Sequence, residues 1–478
     1  MKNKVITGFF WKFGEQISSQ LVSFVLSIIL ARLLAPKDYG VVALVQVFIT
    51  IAQVFVISGF GNALIQKKDA DETDFSTIFY LSELMSVIVY AVLFIASPWI
   101  SAFYDNPELT LVLRVFALQL PLSAFNGIQQ AYISKHLMFK KVFISTTIAA
   151  IMSGIVGVVM AYFGFGVWAL VWQALSSTIF VSVTLAAQVK WRPQLKFSWE
   201  VGKPLVSFGW KLLVASLLGQ FFNQLRSLIL GKFYTTTDLA YYNRGQKFPD
   251  LITTNIDGTV STVLFPTLSN INDDLVKVKL VIRKSIKTST FVIMPLLFGL
   301  AATSRPIILL LLTDKWSAAI PFMQILCFSD VFDTVSNTNM QAIQAIGRSD
   351  IMLKLEFVKK PLYLILLIIG INIDVYVVAW TMVIYNVVAV FINMAPNRKL
   401  LGYNIKEQLS DMIPALLNSS IMYLVVDFLG NTLSTPLILT LVIQIFVGVA
   451  IYVGIALIFK MEGFKNVLEV LKEVLKKD

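Results

Sequence analysis

At 478 residues, 57% hydrophobic and 14% charged, the chain is too apolar for a soluble globular protein, where about 45–50% and about 25% are usual. Its single cysteine, Cys327, excludes an internal disulfide, and its single histidine, His136, leaves no Cys/His cluster for zinc or haem. The net charge of +11 would suggest nucleic acid for a soluble chain, but here it reads as basic loops on one side of a membrane, with no nucleic-acid partner.

Runs of mostly apolar residues, each long enough to cross about 30 Å of hydrocarbon, recur from end to end. They are too long for barrel strands, so backbone satisfaction in lipid makes the chain an all-α polytopic membrane protein. The basic start "MKNKVITGFFWK" has no separate short apolar region with a cleavage site and reads as the beginning of an uncleaved first span. The predicted spans are 10–33, 39–61, 77–101, 110–133, 142–163, 166–187, 207–230, 248–268, 287–312, 319–342, 356–371, 375–395, 409–429 and 436–459, about fourteen in all.

Alternate connections differ in charge. "QKKDADETD", "SKHLMFKK", "VKWRPQLKFSWEVGK", "DDLVKVKLVIRKSIK", "GRSDIMLKLEFVKK" and "NRKLLGYNIK" carry most of the Lys and Arg, against "APKD", "YDNPE", "GFG", "TDKWS", "NID" and "GNTLSTP" on the other side. The positive-inside rule assigns the basic side, with both termini, to the cytoplasm of a bacterial inner membrane. The seventh connection, "GKFYTTTDLAYYNRGQK", departs from the pattern and reads either as a basic outer rim or as span limits off by a turn. The tail "FKNVLEVLKEVLKKD" alternates apolar and lysine faces at helical spacing, as an amphipathic helix on the membrane surface does.

The halves repeat. "SIILARLLAPKDYGVVALVQ" (27–46) aligns without gaps to "SLILGKFYTTTDLAYYNRGQ" (227–246), with Ser, Ile, Leu, Asp and Gln in identical places. Gln130-Ala131 likewise meets Gln344-Ala345. Six spans per half keep both halves in the same orientation, a parallel repeat about the membrane normal. The predicted layout is an N-terminal six-helix lobe (1–188), a cytoplasmic linker (189–206), a C-terminal six-helix lobe (207–396), two additional spans (397–460) and the amphipathic tail (461–478).

Within the first span, "EQISSQLVSFVLS" puts Gln16, Gln20, Ser23 and Ser27 on one helical face. In the repeat the same face reads Ser216, Gln220, Asn223 and Ser227, with Glu15 and Arg226 near the two stripes. Such residues either bond packed membrane helices together or line a hydrated cavity. Trp168, Trp172 and Trp191 fit interfacial belts, and His136 a solvated loop.

"LARLLAPKDYGVVALVQ" (30–46), followed in order by "SGFGNALIQKKD" (58–69), "GFGVWALVWQ" (164–173), "YYNRGQKFPDL" (241–251), "LFPTLS" (264–269) and "GR" (347–348), resembles polysaccharide flippases of the multidrug/oligosaccharidyl-lipid/polysaccharide exporter superfamily. The nearer resemblance is to the branch of colanic acid and teichuronic acid exporters. Where that family usually has Asn after the aromatic run of the third span, this chain has Ser82. The resemblance implies two six-helix lobes arranged as a V and alternating access. It also implies an undecaprenyl-pyrophosphate-linked oligosaccharide as substrate, and proton or sodium coupling without another cofactor. Membrane lipid is the further partner, with a polysaccharide polymerase and glycosyltransferases as candidate contacts.

For such a cargo, cations attract the diphosphate and amides or hydroxyls replace water around the sugar. The candidates for the cavity are Glu15, Gln16, Gln20, Ser23, Arg114, Gln220, Asn223 and Arg226, although Arg114 sits near its span's outer end, where an arginine also reaches the interface. Asp257, Asp330, Asp333 and Asn337 are candidates for a coupling ion or proton, with Gln341 and Gln344 continuing the stripe and Glu83 as a further intramembrane acid. Ion pairing is the alternative role for these carboxylates. No G-x-x-x-x-G-K-[ST] sequence occurs, which argues against ATP-driven transport by this chain itself. A multidrug cation antiporter of the same superfamily is the runner-up, which drug sensitivity of a deletion strain separates. A membrane polymerase is disfavoured by the short outer loops, so no enzyme activity is expected.

Overall fold

The computed structural model describes residues 2–57, 64 and 70–475, and every regular element among them is a helix. The motif at 58–69 therefore lies outside the described residues apart from Leu64. In chain order the helices are α1 (Lys2–Leu33), α2 (Pro36–Ile57), α3 (Glu72–Phe103), α4 (Glu108–Phe116), α5 (Gln119–Lys135), α6 (Phe139–Tyr162), α7 (Val167–Gln188), α8 (Trp199–Phe233) and α9 (Thr236–Asn270). They continue with α10 (Leu275–Ala302), α11 (Ser304–Leu312), α12 (Ala319–Asp330), α13 (Asp333–Ala345), α14 (Ser349–Ile371), α15 (Val375–Leu401), α16 (Ile405–Thr432), α17 (Leu437–Ile458) and α18 (Glu462–Leu475). Contacts divide the chain into two compact units, Met1–Ala240 and Tyr241–Asp478.

Among the described residues, 11 helical stretches are long and apolar enough to cross a membrane. The predicted spans at 248–268, 319–342 and 356–371 fall on α9, α12–α13 and α14, which are not among those 11. Hydropathy thus shows an integral membrane protein without fixing the count at fourteen. The repeat is visible in the helix limits. α1 ends at Leu33 and α8 at Phe233, while α2 starts at Pro36 and α9 at Thr236. The recurring aspartate has the same local task in both copies: Asp38 accepts from the Ala35 amide and Asp238 from the Thr235 amide, each at 3.1 Å. A carboxylate there also suits the positive end of the helix that follows. Gly40 is replaced by Ala240 in the second copy, and its reason is a close approach of backbone: a Cβ at Gly40 would lie 1.7 Å from the Thr236 carbonyl oxygen.

The offset that carries Gln130-Ala131 onto Gln344-Ala345 also carries the break between α4 and α5 onto the break between α12 and α13. The fourth predicted span of each half is therefore two helices. Pro121 sits in the first turn of α5, where its missing N–H costs little, and α13 opens on Asp333.

Several basic stretches that read as connections are helical instead. α10 begins at Leu275 and α14 at Ser349, so the lysines and arginines of "DDLVKVKLVIRKSIK" and "GRSDIMLKLEFVKK" lie mostly on helix. Lys and Arg are good helix formers, and a helix need not stop where the lipid does. The "GR" pair makes the turn into α14. Gly347 adopts φ 79°, and Arg348 forms a two-bond pair with Asp350 at 2.8 and 2.9 Å that pulls the Asp350 carboxyl down to about 2. The seventh connection is only the turn at Tyr234–Thr235. Lys232 pairs with Asp105 at 3.1 Å, and Arg244 is buried with its guanidinium 4.9 Å over the Trp316 ring. Lys247 is exposed, and the helices on either side of the turn run further than their hydropathy suggests.

Trp191 also departs from expectation. It is 5% exposed, with its ring centroid 6.0 Å from that of Phe75 and 6.2 Å from that of Phe79. It fixes the segment after α7 onto α3 instead of joining an interfacial belt. Trp172 is exposed, as a belt residue is, and His136 is exposed at the end of α5.

Candidate functional site

α1 packs against α6 through Ser18, whose hydroxyl lies 3.3 Å from that of Thr147, and through Leu26 against Gly154. At about 100° per residue, Gln16, Gln20, Ser23 and Ser27 fall on the opposite side of α1. The stripe is thus not glue between α1 and α6. Along it, Gln16 and Ser23 are exposed and Gln20 and Ser27 half-buried. Along α8 the sequence repeats in exposure as well as in type: Ser216 and Asn223 are exposed, Gln220 and Ser227 half-buried. Glu15 is half-buried and falls on the α6 side of α1, off the stripe. Arg226, half-buried, lies one turn from Asn223.

Arg114 has a different task. Pro98 has no N–H, so the Phe94 carbonyl one turn earlier in α3 lacks its helical donor. Arg114 Nε donates to that carbonyl at 3.2 Å and to Ser97 Oγ at 2.9 Å, with the guanidinium 4.2 Å over the Phe94 ring. In lipid an unmet carbonyl has no water to turn to. Arg114→Leu is expected to lower stability by about 1–2 kcal/mol, read as a lower unfolding midpoint of the purified protein. An unchanged midpoint would show that Ser97, which also donates to Phe94 at 2.8 Å, suffices alone.

Two of the predicted acids of the second half, Asp257 and Asp330, lie on one seam. The Asp257 carboxylate of α9 accepts from Thr334 Oγ1 and from Asn337 Nδ2 of α13, both at 2.6 Å. Ser261 accepts from Gln341 at 2.7 Å, and Gln246 donates to Asp330 at 3.1 Å and to Asp250 at 2.7 Å. Residues 246, 250, 257 and 261 share one face of α9, and 330, 334, 337 and 341 face them across the α12/α13 break. At Gly245 the backbones are close, a Cβ there lying 2.8 Å from the Met323 nitrogen; further along, polar side chains bridge the gap. Asp333 is half-buried, Gln344 is exposed, and Glu83 of α3 is half-buried beside the Ser86 hydroxyl at 3.4 Å.

Sequence reasoning missed Thr334, Ser261, Gln246 and Asp250, although face counting from Asp257 and Asn337 reaches all four. It also missed the opposite seam. Asn386, Asn393 and Asn397 of α15 donate to the Ser329 hydroxyl at 3.0 Å, Ser336 at 2.5 Å and Asn339 at 2.6 Å. The broken helix is held by polar bonds on two sides, an arrangement that fixes a carboxylate among neutral donors inside an apolar region.

The polysaccharide biosynthesis protein family matches residues 29–321, more than half of the chain. Two relatives extend the match. The lipopolysaccharide biosynthesis protein WzxC of Escherichia coli (strain K12) is 24% identical over 77% of this chain and 76% of its own length. The teichuronic acid biosynthesis protein TuaB of Bacillus subtilis (strain 168) is 26% identical over 75% of this chain and 74% of its own. The solved structure of the lipid II flippase MurJ in an inward closed conformation has a TM-score of 0.76, covering 94% of this chain and 98% of that one at 15% identity, a likeness that shows the fold. Motif order, helix limits and these matches agree, and the chain belongs to the polysaccharide biosynthesis protein family.

Proposed function

We propose that the protein is a flippase that moves an undecaprenyl-pyrophosphate-linked oligosaccharide repeat unit from the inner to the outer leaflet by alternating access, for cell-surface polysaccharide synthesis. The observation that carries this reading is the pair of polar stripes on α1 and α8, matched in residue type and in exposure. Amides and hydroxyls left exposed in otherwise apolar spans replace water around a sugar as it crosses. Gln16, Gln20, Ser23, Gln220 and Asn223 would bond the saccharide, and Arg226, one turn from Asn223, would attract the diphosphate. Asp257, held by Thr334 and Asn337 without a cation in those bonds, is the group we assign to a coupling proton or sodium ion. The names of WzxC and TuaB place those proteins in surface-polymer biosynthesis, which favours this cargo over a drug cation. Both termini and the basic connections face the cytoplasm in this reading.

A strain lacking the protein, and lacking any redundant exporter, is expected to accumulate the lipid-linked unit with its head group on the cytoplasmic side and to lose surface polymer. Normal surface polymer in that strain would overturn the assignment.

A further inference from the structure

A second site lies within the unit Tyr241–Asp478, where α10, α16, α17 and α18 meet. They enclose a cavity of about 730 Å³ whose lining changes character from one end to the other. One end is apolar, with Phe291, Leu417, Ile421 and Ile455. The other is ionic, with Arg283, Lys287, Lys460, Asp411 and Glu462. Most of that charge is already matched. Arg283 bonds Asp411 at 2.8 and 2.9 Å, and Lys287 reaches Asp411 at 3.2 Å and also bonds Glu462. Lys460, just past the end of α17, makes no ion pair among the described residues. Three cations and two carboxylates leave one positive charge at the mouth.

The ionic end also holds an acceptor without a donor. Asn418, 2% exposed, gives its Nδ2 to the Tyr452 carbonyl at 3.0 Å and to the Met461 sulfur at 3.5 Å, while its buried Oδ1 has no partner. The Met461 contact sets Asn418 at the level of Lys460 and Glu462. Pro414, without an N–H, cannot bond the Ser410 carbonyl, and Ser410 lines the same cavity. A buried acceptor without a donor, as Asn418 Oδ1 is, needs a ligand or water to supply one.

We propose that this cavity is a binding site for an anionic glycerophospholipid with a hydroxyl-bearing head group, of the phosphatidylglycerol type. Its single negative charge equals the charge left over at the mouth, its phosphodiester meets Lys460 and its head-group hydroxyls supply donors to Asn418. An acyl chain fills the apolar end between α10, α16 and α17. The amphipathic α18 forms the surface wall: Gly463 sits so close to Lys287 that a Cβ would lie 2.8 Å from its carbonyl oxygen, and Lys284 pairs with Glu469 at 3.3 Å. The lipid therefore joins the terminal helix to the last two spans. This role does not depend on which cargo the protein carries.

The test uses the full chain, purified and stripped of lipid, with phosphatidylglycerol, phosphatidylcholine of the same acyl chains, and inorganic phosphate as separate probes. Native mass spectrometry is expected to show one phosphatidylglycerol retained at least about tenfold better than phosphatidylcholine, with a matching rise in unfolding midpoint. Lys460→Glu is expected to lower that retention by about tenfold while leaving the lipid-free midpoint unchanged. Should Lys460→Glu fold poorly, Ile421→Trp, which fills the apolar end, is expected to displace the same lipid. Equal retention of the two lipids, retention unchanged in both variants, or an equal midpoint rise with inorganic phosphate alone would each overturn the proposal.

Discussion

Asp411→Ala is expected to destabilise the protein by about 3 kcal/mol, the largest stability loss foreseen for a single side chain. The Asp411 carboxylate is 2% exposed and accepts from Arg283, from Lys287 and, at 2.7 Å, from the Tyr403 hydroxyl. Burial, with Asp411 beside it, holds the Tyr403 phenol protonated far above its ordinary range, so it remains a donor at any physiological pH. Deleting the carboxylate leaves Arg283 without its ion-pair partner and Lys287 with Glu462 alone. Breaking a buried pair costs about 3–5 kcal/mol, and the lower end applies because Arg283 is 35% and Lys287 20% exposed, so water screens them in part. A matching Arg283→Met, Asp411→Leu double substitution is expected to recover much of the loss, because it removes charge from both sides. A single Asp411→Ala with a wild-type unfolding midpoint would show that the cluster contributes little.

The second large effect is on export. Gln20→Leu combined with Gln220→Leu is expected to reduce surface polymer to under about a tenth of the wild-type amount, because each amide lost removes hydrogen bonds worth about 1 kcal/mol apiece to a sugar that has left water. Either substitution alone leaves one stripe and should have the milder effect. Leucine favours insertion into the bilayer, so protein abundance in the membrane should hold or rise. This separates the two roles open to the stripe. If Gln20 and Gln220 only bonded helices together, the double variant would lose abundance or stability along with export. If they serve the cargo, export falls while abundance holds.

Much of the fold was legible in the residues. Long apolar runs required helices, the Ser27 and Ser227 register marked the repeat, and the stripe showed itself at helical spacing because lipid makes each exposed amide costly. What was not legible depended on partners distant in sequence. Arg114 looked like a cation for the cargo, yet its nearest duty is to the carbonyl that Pro98 leaves unmet in α3. Asp257 was visible as an intramembrane acid, but Thr334 was not visible as its donor, since a threonine in an apolar stretch carries no signal by itself. The basic run at 273–287 looked like a loop because charge ends a hydropathy window, whereas α10 continues through it to meet Asp411 and Glu462. Glu15 shares its sequence neighbourhood with Gln16 but not its helical face, a distinction that became meaningful once the α6 side of α1 was located.

The most direct measurement places the purified protein in sealed vesicles loaded with a fluorescent undecaprenyl-pyrophosphate-linked oligosaccharide and follows the head group by its accessibility to a reagent that cannot cross the membrane. Wild-type protein is expected to expose the inner pool of head groups, and the Gln20→Leu, Gln220→Leu variant at equal incorporation is expected to do so at least about tenfold more slowly. A head-group pool that stays protected with wild-type protein, under every imposed proton or sodium gradient, would contradict the account.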